Sequence, residues 1–390
     1  MAGDAEPRGN GPMKEGEEAS FFGALLDEAG DLALGSLFEG KAWVAPNPMV
    51  GALALEGDRI VGRGLHRAFG QAHAEEEALR EALEAGASPD TLVVTLEPCS
   101  SKGGEKKRPP CTETILASPI KRVVVGLEDP DPRHQGEGLA ALRRAGLKVL
   151  GPFPSPSLQA LLDPFRKALS LQRPWVIAKW AMSLDGKTAT HSGSSSWISG
   201  EQSLDYGHRL RASCDSIMVG YRTALLDRPV LSVRRVPGPS PHRFVIDPKL
   251  QLPMDGPLFQ TSSIPTTVLF LEGQGERAKE FENQGVECLA VPPLEPSGSV
   301  LDFSKALGLL HSRGMRRLLF EGGGQTLAQL LDQNCVDQCM ALIAPKLVGG
   351  KDAPSPLGGK GVQEMDQARQ LSGTFRFDLG MDLLMGGFLL

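Results

Sequence analysis

The chain has 390 residues, more than one small domain needs; at roughly 100–200 residues per domain it holds two or three. Apolar residues make up 41% and charged residues 23%, an ordinary globular composition that excludes wholesale disorder, and no run approaches the ~18 apolar residues of a membrane helix. The net charge of −6 argues against a general affinity for nucleic-acid phosphates. Met1–Glu18 carries acids in excess and no apolar block, so residues 1–19 are expected to be a disordered tail rather than a secretory signal. Six scattered cysteines suit cytoplasmic thiols, some of them on a metal, better than disulfides.

In chain order, a helix is expected over Phe21–Phe38, followed by a hairpin of Met49–Leu55 and Arg59–Leu65 around Gly57-Asp58. His73–Ala85 has helical spacing and stops at Gly86. Thr91–Leu96, Arg122–Leu127 and Leu147–Leu150 read as strands, with helices at Cys111–Ala117 and Gly138–Ala145. A proline-punctuated stretch marks a linker over residues 152–173, with a helix near Leu158–Leu171. Beyond it, strands are expected at Trp175–Ala181, Ser216–Val219, Arg243–Ile246, Thr267–Leu271, Gly285–Ala290, Arg317–Phe320 and Met340–Ala344, then a hairpin near Thr374–Leu390. Helices fit Glu201–Ala212, Asp302–Ser312 and Gln325–Gln333. Strands alternating with helices predict two α/β domains, residues 20–151 and 174–390.

Three potential metal ligands sit at element ends. His73-Ala74-Glu75 opens a helix, Pro98-Cys99 follows a strand, and Pro110-Cys111 opens another helix. Two thiolates and an imidazole suit zinc and leave one position of a tetrahedron open, and a helix start favours the Cys111 thiolate. Glu75 is placed to take a proton from attacking water and return it to departing ammonia. Each residue alone has a blander reading, as a buried thiol, a capping imidazole or a solvated acid. Together they follow the H-x-E…P-C…C logic of zinc deaminases.

Pro46-Asn47-Pro48-Met49-Val50-Gly51, His73-Ala74-Glu75, Thr95-Leu96-Glu97-Pro98-Cys99 and Pro109-Pro110-Cys111 resemble the deaminase domain of the bifunctional riboflavin-biosynthesis deaminase/reductase family. Glu128-Asp129-Pro130-Asp131-Pro132 and Gly136-Glu137-Gly138 do too. The resemblance implies a cytidine-deaminase-like three-layer sandwich, zinc on His73, Cys99 and Cys111, Glu75 as proton shuttle, and Asn47 on the pyrimidine. The chain departs from the pattern at Ala45, Met49, Ser100 and Ser101. Its loop from Cys99 to Cys111 is longer and carries Lys102, Lys106, Lys107 and Arg108, either a phosphate contact or a solvated insertion.

In the second half, Lys179 to Lys187 ends in an Asp-Gly turn, and Ser195-Ser196-Trp197-Ile198-Ser199 precedes Arg211 at a helix end. Thr223…Asp227-Arg228-Pro229-Val230-Leu231 to Arg234 reads as a polar loop. Glu321-Gly322-Gly323-Gly324 runs from a strand into a helix whose free N–H groups suit a phosphate. The glycines lack the G-x-G-x-x-G spacing, so a standard Rossmann domain is not indicated. These segments resemble the reductase domain of the same family, which implies a dihydrofolate-reductase-like fold and NADPH. By position, Ala181, Trp197, Thr223, Asp227, Gly323 and Gly324 would touch the cofactor. Ser195, Arg211, Leu231, Arg234 and Glu321 would hold the substrate, with Lys179 and Asp227 as proton donors. Arg228 stands where the family has a carboxylate, with altered loop electrostatics and an extra contact to cofactor phosphate expected from it.

The resemblance implies deamination of 2,5-diamino-6-(5-phosphoribosylamino)pyrimidin-4(3H)-one, then reduction of the ribosyl chain to give 5-amino-6-(5-phosphoribitylamino)uracil. A small-molecule ribotide is the expected partner, with neither nucleic acid nor membrane, in a homo-oligomer. Other assignments stay open at this level. One is a reductase with an inefficient or inactive deaminase half, suggested by Ala45, Met49 and the long loop. The others are a nucleic-acid base deaminase with an accessory domain and a binding module stapled by zinc.

Overall fold

The computed structural model describes residues 15–38, 42–100, 109–132, 134–194, 198–260, 263–296 and 298–389. Ser101, Lys102, Lys106, Lys107, Arg108, Ser195 and Trp197 lie outside them. Contacts divide the chain into two units, Met1–Leu34 with Met49–Leu162, and Gly35–Pro48 with Asp163–Leu390. Among the described residues no helix is long and apolar enough to cross a membrane.

The first unit contains α1 (Glu15–Phe38), β1 (Gly51–Glu56), β2 (Arg59–Leu65), α2 (Ala74–Glu84), β3 (Thr91–Leu96), α3 (Cys111–Leu116), β4 (Arg122–Leu127), α4 (Glu137–Arg144), β5 (Lys148–Leu150) and the start of α5 (Pro156–Ser170). Its five strands are ordered β2-β1-β3-β4-β5, with β2, β1 and β3 antiparallel and β3, β4 and β5 parallel. Side chains alternate across a strand, and the sequence uses that alternation for two cores. Ala52, Ala54, Leu92, Val94, Val123 and Val125 meet α2, α3 and α4 through Ala78, Ile115 and Leu139. Leu53, Leu55, Val93 and Val124 meet Phe22, Leu26 and Ala29 of α1 and Leu158 of α5. The result is three layers.

Helix α1 begins at Glu15, so residues 15–19, expected to belong to a tail, are helical. Glu18 lies 3.3 Å from Lys148 Nζ and 3.6 Å from Arg122, ion pairs that supply the helix with contacts its sequence does not advertise. The helix expected near Leu158–Leu171 is present as α5, which runs across the division at Leu162/Asp163.

Glycine at 64 is dictated by α2. A Cβ there would stand 1.8 Å from Ala74 O and 2.5 Å from Ala78 N, so only a bare Cα lets the helix lie on β2. Overpacking of this kind costs about 1–3 kcal/mol. Gly64→Ala is therefore expected to lower the unfolding midpoint of this unit and its zinc content together, read by thermal unfolding and elemental analysis.

The second unit continues with β6 (Trp175–Ser183), α6 (Glu201–Ala212), β7 (Ser216–Gly220), α7 (Tyr221–Asp227), β8 (His242–Ile246), α8 (Pro257–Gln260), β9 (Thr266–Leu271), α9 (Gly275–Glu282), β10 (Glu287–Val291), α10 (Phe303–Ser312), β11 (Arg317–Phe320), α11 (Gly324–Asp332), β12 (Gln338–Ala344), β13 (Leu371–Leu379) and β14 (Asp382–Leu389). Its nine strands are ordered β10-β9-β8-β7-β11-β6-β12-β14-β13. The pairs are parallel from β10 to β12, and the terminal hairpin is antiparallel. Val176, Met218 and Leu318 serve the core on one face, and Ile177, Ile217 and Leu319 the core on the other.

Helices α7, α8 and α9 were not expected. Each is short, and α7 and α8 bury one residue apiece, Ala224 and Leu258, leaving little periodicity to read. Strands β7 to β10 proceed to one edge, whereas β11 returns to insert between β7 and β6. The loops leaving β6, β7 and β11 thus share the kind of strand-order reversal at which parallel sheets bind ligands.

Candidate active sites

In the first unit, His73 is the N-cap of α2 and Cys111 the first residue of α3. His73 Nδ1 lies 3.1 Å from Cys111 Sγ and 3.8 Å from Cys99 Sγ, and the sulfurs are 3.6 Å apart. The three ligand atoms fall within 4.8 Å of one another. Local bonds fix them: the Cys111 amide donates to Cys99 Sγ at 3.4 Å and the Thr112 amide to Cys99 O at 3.2 Å. The Cys111 thiol pulls Cys99 down to about 3 against the opposing effect of burial, with His73 assisting. The same bond, with burial, pushes Cys111 up. Two cysteine sulfurs beside an imidazole are a borderline-soft donor set, which fits zinc better than calcium or magnesium.

Glu75 is buried in the first turn of α2. Burial pushes its carboxyl up, against the effect of His73 and with Cys99 adding to the rise. A carboxyl that takes up a proton readily therefore stands beside the donor set.

Glu97 explains the placement of Pro98-Cys99. Its buried carboxylate accepts N–H bonds from Asp129 (3.1 Å), Gly136 (2.9 Å) and Gly138 (2.8 Å), locking the end of β3 to the start of α4. The sequence reading missed His66. It is buried, held down to about 4 chiefly by burial, and packs edge-on to the His73 ring at a centroid distance of 4.9 Å. Its Nδ1 is 3.0 Å from Ala72 O. A lone histidine carries no sequence signal of such a role. Asn47 belongs to the 35–48 stretch, which groups with the second unit, and its amide donates to Val44 O at 2.8 Å.

In the second unit, residues from β6, α6 and β11 converge. Arg211 grips Glu321 with two bonds, 3.1 Å from Nε and 2.8 Å from a terminal nitrogen. Lys179 Nζ lies 3.9 Å from the same carboxylate, with side-chain exposures of 15% for Lys179 and 10% for Glu321. Burial would raise Glu321, but Arg211 and Lys179 override it and hold the carboxyl down to about 2. Burial lowers Lys179, with Glu321 opposing and Arg211 assisting. Gly207 of α6 faces this lysine, since a Cβ there would stand 3.6 Å from Nζ.

The turns after β7 and β11 lie side by side. A Cβ on Gly323 would meet only Thr223 Oγ1, at 3.5 Å, and one on Gly220 would collide with Thr326 Oγ1 at 2.5 Å. Gly323 and Thr223 thus line one cradle beside the amino-terminal end of α11, which fits a nucleotide phosphate. Gly324 differs. Its Cβ would sit 2.8 Å from Ser355 O and Pro356 O, so this glycine is required by the chain's own loop. That loop is pinned by Asp185, which accepts N–H bonds from Val348 (3.0 Å) and Gly349 (2.7 Å).

Ala181 is half-buried against the core on the α6 side of the sheet. Asp227 ends α7, where partial burial pushes its carboxyl up. Arg228 is engaged elsewhere than expected, donating to Asp255 O at 3.0 Å and lying 3.4 Å from the Asp255 carboxylate. Leu231 is buried, and it and Arg234 lie on the segment between α7 and β8.

The family model for the RibD C-terminal domain matches residues 174–381. The cytidine and deoxycytidylate deaminase zinc-binding region matches residues 35–127. The chain is 36% identical to the riboflavin biosynthesis protein RibD of Synechocystis, covering 88% of this chain and 91% of the relative. It is also 36% identical to that of Aquifex aeolicus, covering 91% and 96%. Among solved structures, Acinetobacter baumannii RibD superposes with a TM-score of 0.78 at 28% identity, over 95% of this chain and 99% of that one. The Thermotoga maritima diaminohydroxyphosphoribosylaminopyrimidine deaminase/5-amino-6-(5-phosphoribosylamino)uracil reductase gives 0.75 at 28% identity, over 96% and 100%. A cytidine-deaminase-like domain followed by a dihydrofolate-reductase-like domain is the architecture of this chain.

Proposed function

The chain belongs to the RibD family of bifunctional riboflavin-biosynthesis deaminase/reductases, and on that premise we propose which residues carry each activity and on which substrates. Zinc and NADPH are the cofactors of the two domains. The deaminase spans residues 20–151 and the reductase 174–390, joined by the 152–173 segment. The first site hydrolyses the 2-amino group of 2,5-diamino-6-(5-phosphoribosylamino)pyrimidin-4(3H)-one. His73, Cys99 and Cys111 hold zinc there, which when bound makes water nucleophilic at neutral pH. Glu75 would take a proton from the attacking water on its carboxylate and pass it to the departing amine. Asn47 orients the pyrimidine.

The second site reduces the ribosyl chain to the ribityl chain. NADPH, when bound, supplies the hydride. Ala181, Trp197, Thr223, Asp227 and Gly323 hold it; Ser195, Arg211, Leu231, Arg234 and Glu321 hold the ribotide. Lys179 delivers the proton, because burial loosens its grip on it, with Asp227 close by in sequence to the cofactor cradle as second donor. A reducing cytoplasm suits a chain whose six cysteines are all unbridged. A second copy of the chain would cover the exposed Phe377, Met381 and Met385 of the terminal hairpin.

The observation that carries the deaminase assignment is the convergence of His73, Cys99 and Cys111 within 4.8 Å beside a buried Glu75. Purified protein given the diaminopyrimidine ribotide and NADPH is expected to release ammonia and oxidise NADPH. A zinc chelator should stop ammonia release yet leave NADPH oxidation on the already deaminated ribotide intact. NADPH oxidation without ammonia release from metal-replete protein would remove the deaminase assignment.

A further inference from the structure

Residues 230–234 lie between α7 and β8 outside any helix or strand, so their backbone polar groups need partners from elsewhere. Side chains supply them. Arg243, on β8 and wholly buried, donates to Val230 O at 3.1 Å and to Ile264 O at 2.6 Å. Arg211 reaches Ser232 O at 3.2 Å, and Ser240 Oγ accepts from Val233 N at 3.0 Å. His208 Nδ1 accepts from Arg234 N at 3.2 Å. Between these bonds Leu231 is held at φ +55°, in the left-handed region, a conformation that costs a non-glycine residue about 1 kcal/mol or more. A segment so held is fixed from outside, not by its own propensity.

We propose that His208 and Arg243 are positioning residues of the reductase, which hold the 230–234 backbone so that Leu231 and Arg234 meet the ribotide. The proposal rests on the reading that Leu231 and Arg234 contact that substrate. Its geometry is economical: α6 presents Gly207 to Lys179, His208 to the Arg234 amide and Arg211 to Glu321, so one helix sets both the proton donor and the substrate segment. His208 is 5% exposed. Burial and the nearby Arg211 and Arg234 charges hold it down to about 4, leaving the ring neutral with its Nδ1 lone pair available to the amide.

The test uses the full chain with the deaminated ribotide and NADPH. His208→Leu keeps the volume and removes the acceptor. It is expected to raise the ribotide KM about tenfold, the worth of one hydrogen bond, with kcat and the NADPH KM within about twofold. His208→Asn places an amide oxygen near the Nδ1 position and should restore most of that loss. Arg243→Met is expected to show the same split. A fall in kcat at unchanged KM, or a His208→Asn variant no better than His208→Leu, would overturn the proposal, the latter by showing that the ribotide needs the imidazole itself. The underlying reading has its own control: Arg234→Ala that leaves the ribotide KM unchanged would show that this segment does not bind substrate. If Arg234→Ala raises KM and His208→Leu does not, the reading stands and the positioning role falls.

Discussion

Glu75→Gln is expected to cut ammonia release by about 10²–10⁴-fold, the usual worth of a positioned acid–base group. Zinc content and NADPH oxidation on the deaminated ribotide should stay at wild-type levels. Glutamine keeps the size and the hydrogen-bonding oxygen of the side chain in the first turn of α2, so the packing of Ala74, Ala78 and Ala82 against the sheet is undisturbed. What disappears is the carboxyl's capacity to gain and lose a proton. Burial already biases this carboxyl toward the protonated form, which suits a group that must accept a proton in one step and surrender it in the next. Glu75 is not among the three clustered ligand atoms, so metal should remain. Ammonia release, elemental analysis and NADPH absorbance read the three quantities separately. Ammonia release within a few-fold of wild type would reduce Glu75 to a buried structural acid.

The cluster of His73, Cys99 and Cys111 was legible in the sequence because each residue is tied to an element end that the sequence also announces. His73 precedes a helical period, Cys99 follows a β-branched strand, and Cys111 opens the next helix. The three layers were legible for a related reason, since residues 52–55 and 123–125 send alternate side chains to opposite cores. The second site was harder to read. Arg211 looks like a free cation for phosphate until the fold brings Glu321, 110 residues away in sequence, into its fork. His208 and Arg243 bond to backbone groups 26 and 13 residues distant, and a backbone amide or carbonyl leaves no mark in sequence. Gly324 was assigned to a ligand because glycine before a helix suits phosphate, whereas the closest approach there comes from the loop at Ser355–Pro356. Arg228, next to a predicted site residue, turns to Asp255 instead.

The carboxylate of Glu321 neutralises two buried cations, and Glu321→Gln is expected to destabilise the second unit by about 3–5 kcal/mol, the cost of stranding buried charge by removing its partner. The loss should depend on pH in a defined direction. Glu321 is held down to about 2 from an ordinary 4.5, so its ionised form stabilises the folded chain fully above pH 4.5, and the contribution fades as pH falls toward 2. The gap between wild type and variant should therefore be widest near neutrality and narrow in acid. Tryptophan fluorescence reports the relevant unfolding transition, because the described tryptophans Trp43, Trp175 and Trp180 all belong to the second unit. Catalysis should register the same substitution through Lys179. Glu321 opposes the downward push of burial and Arg211 on that lysine, so without the carboxylate the ammonium gives up its proton at lower pH. The alkaline limb of the reductase profile should accordingly move to lower pH, beyond any uniform loss of active protein. An unshifted limb in a folded Glu321→Gln enzyme would mean that Lys179 is not the proton donor, because the one carboxylate beside it among the described residues would have been removed without effect on the titrating group.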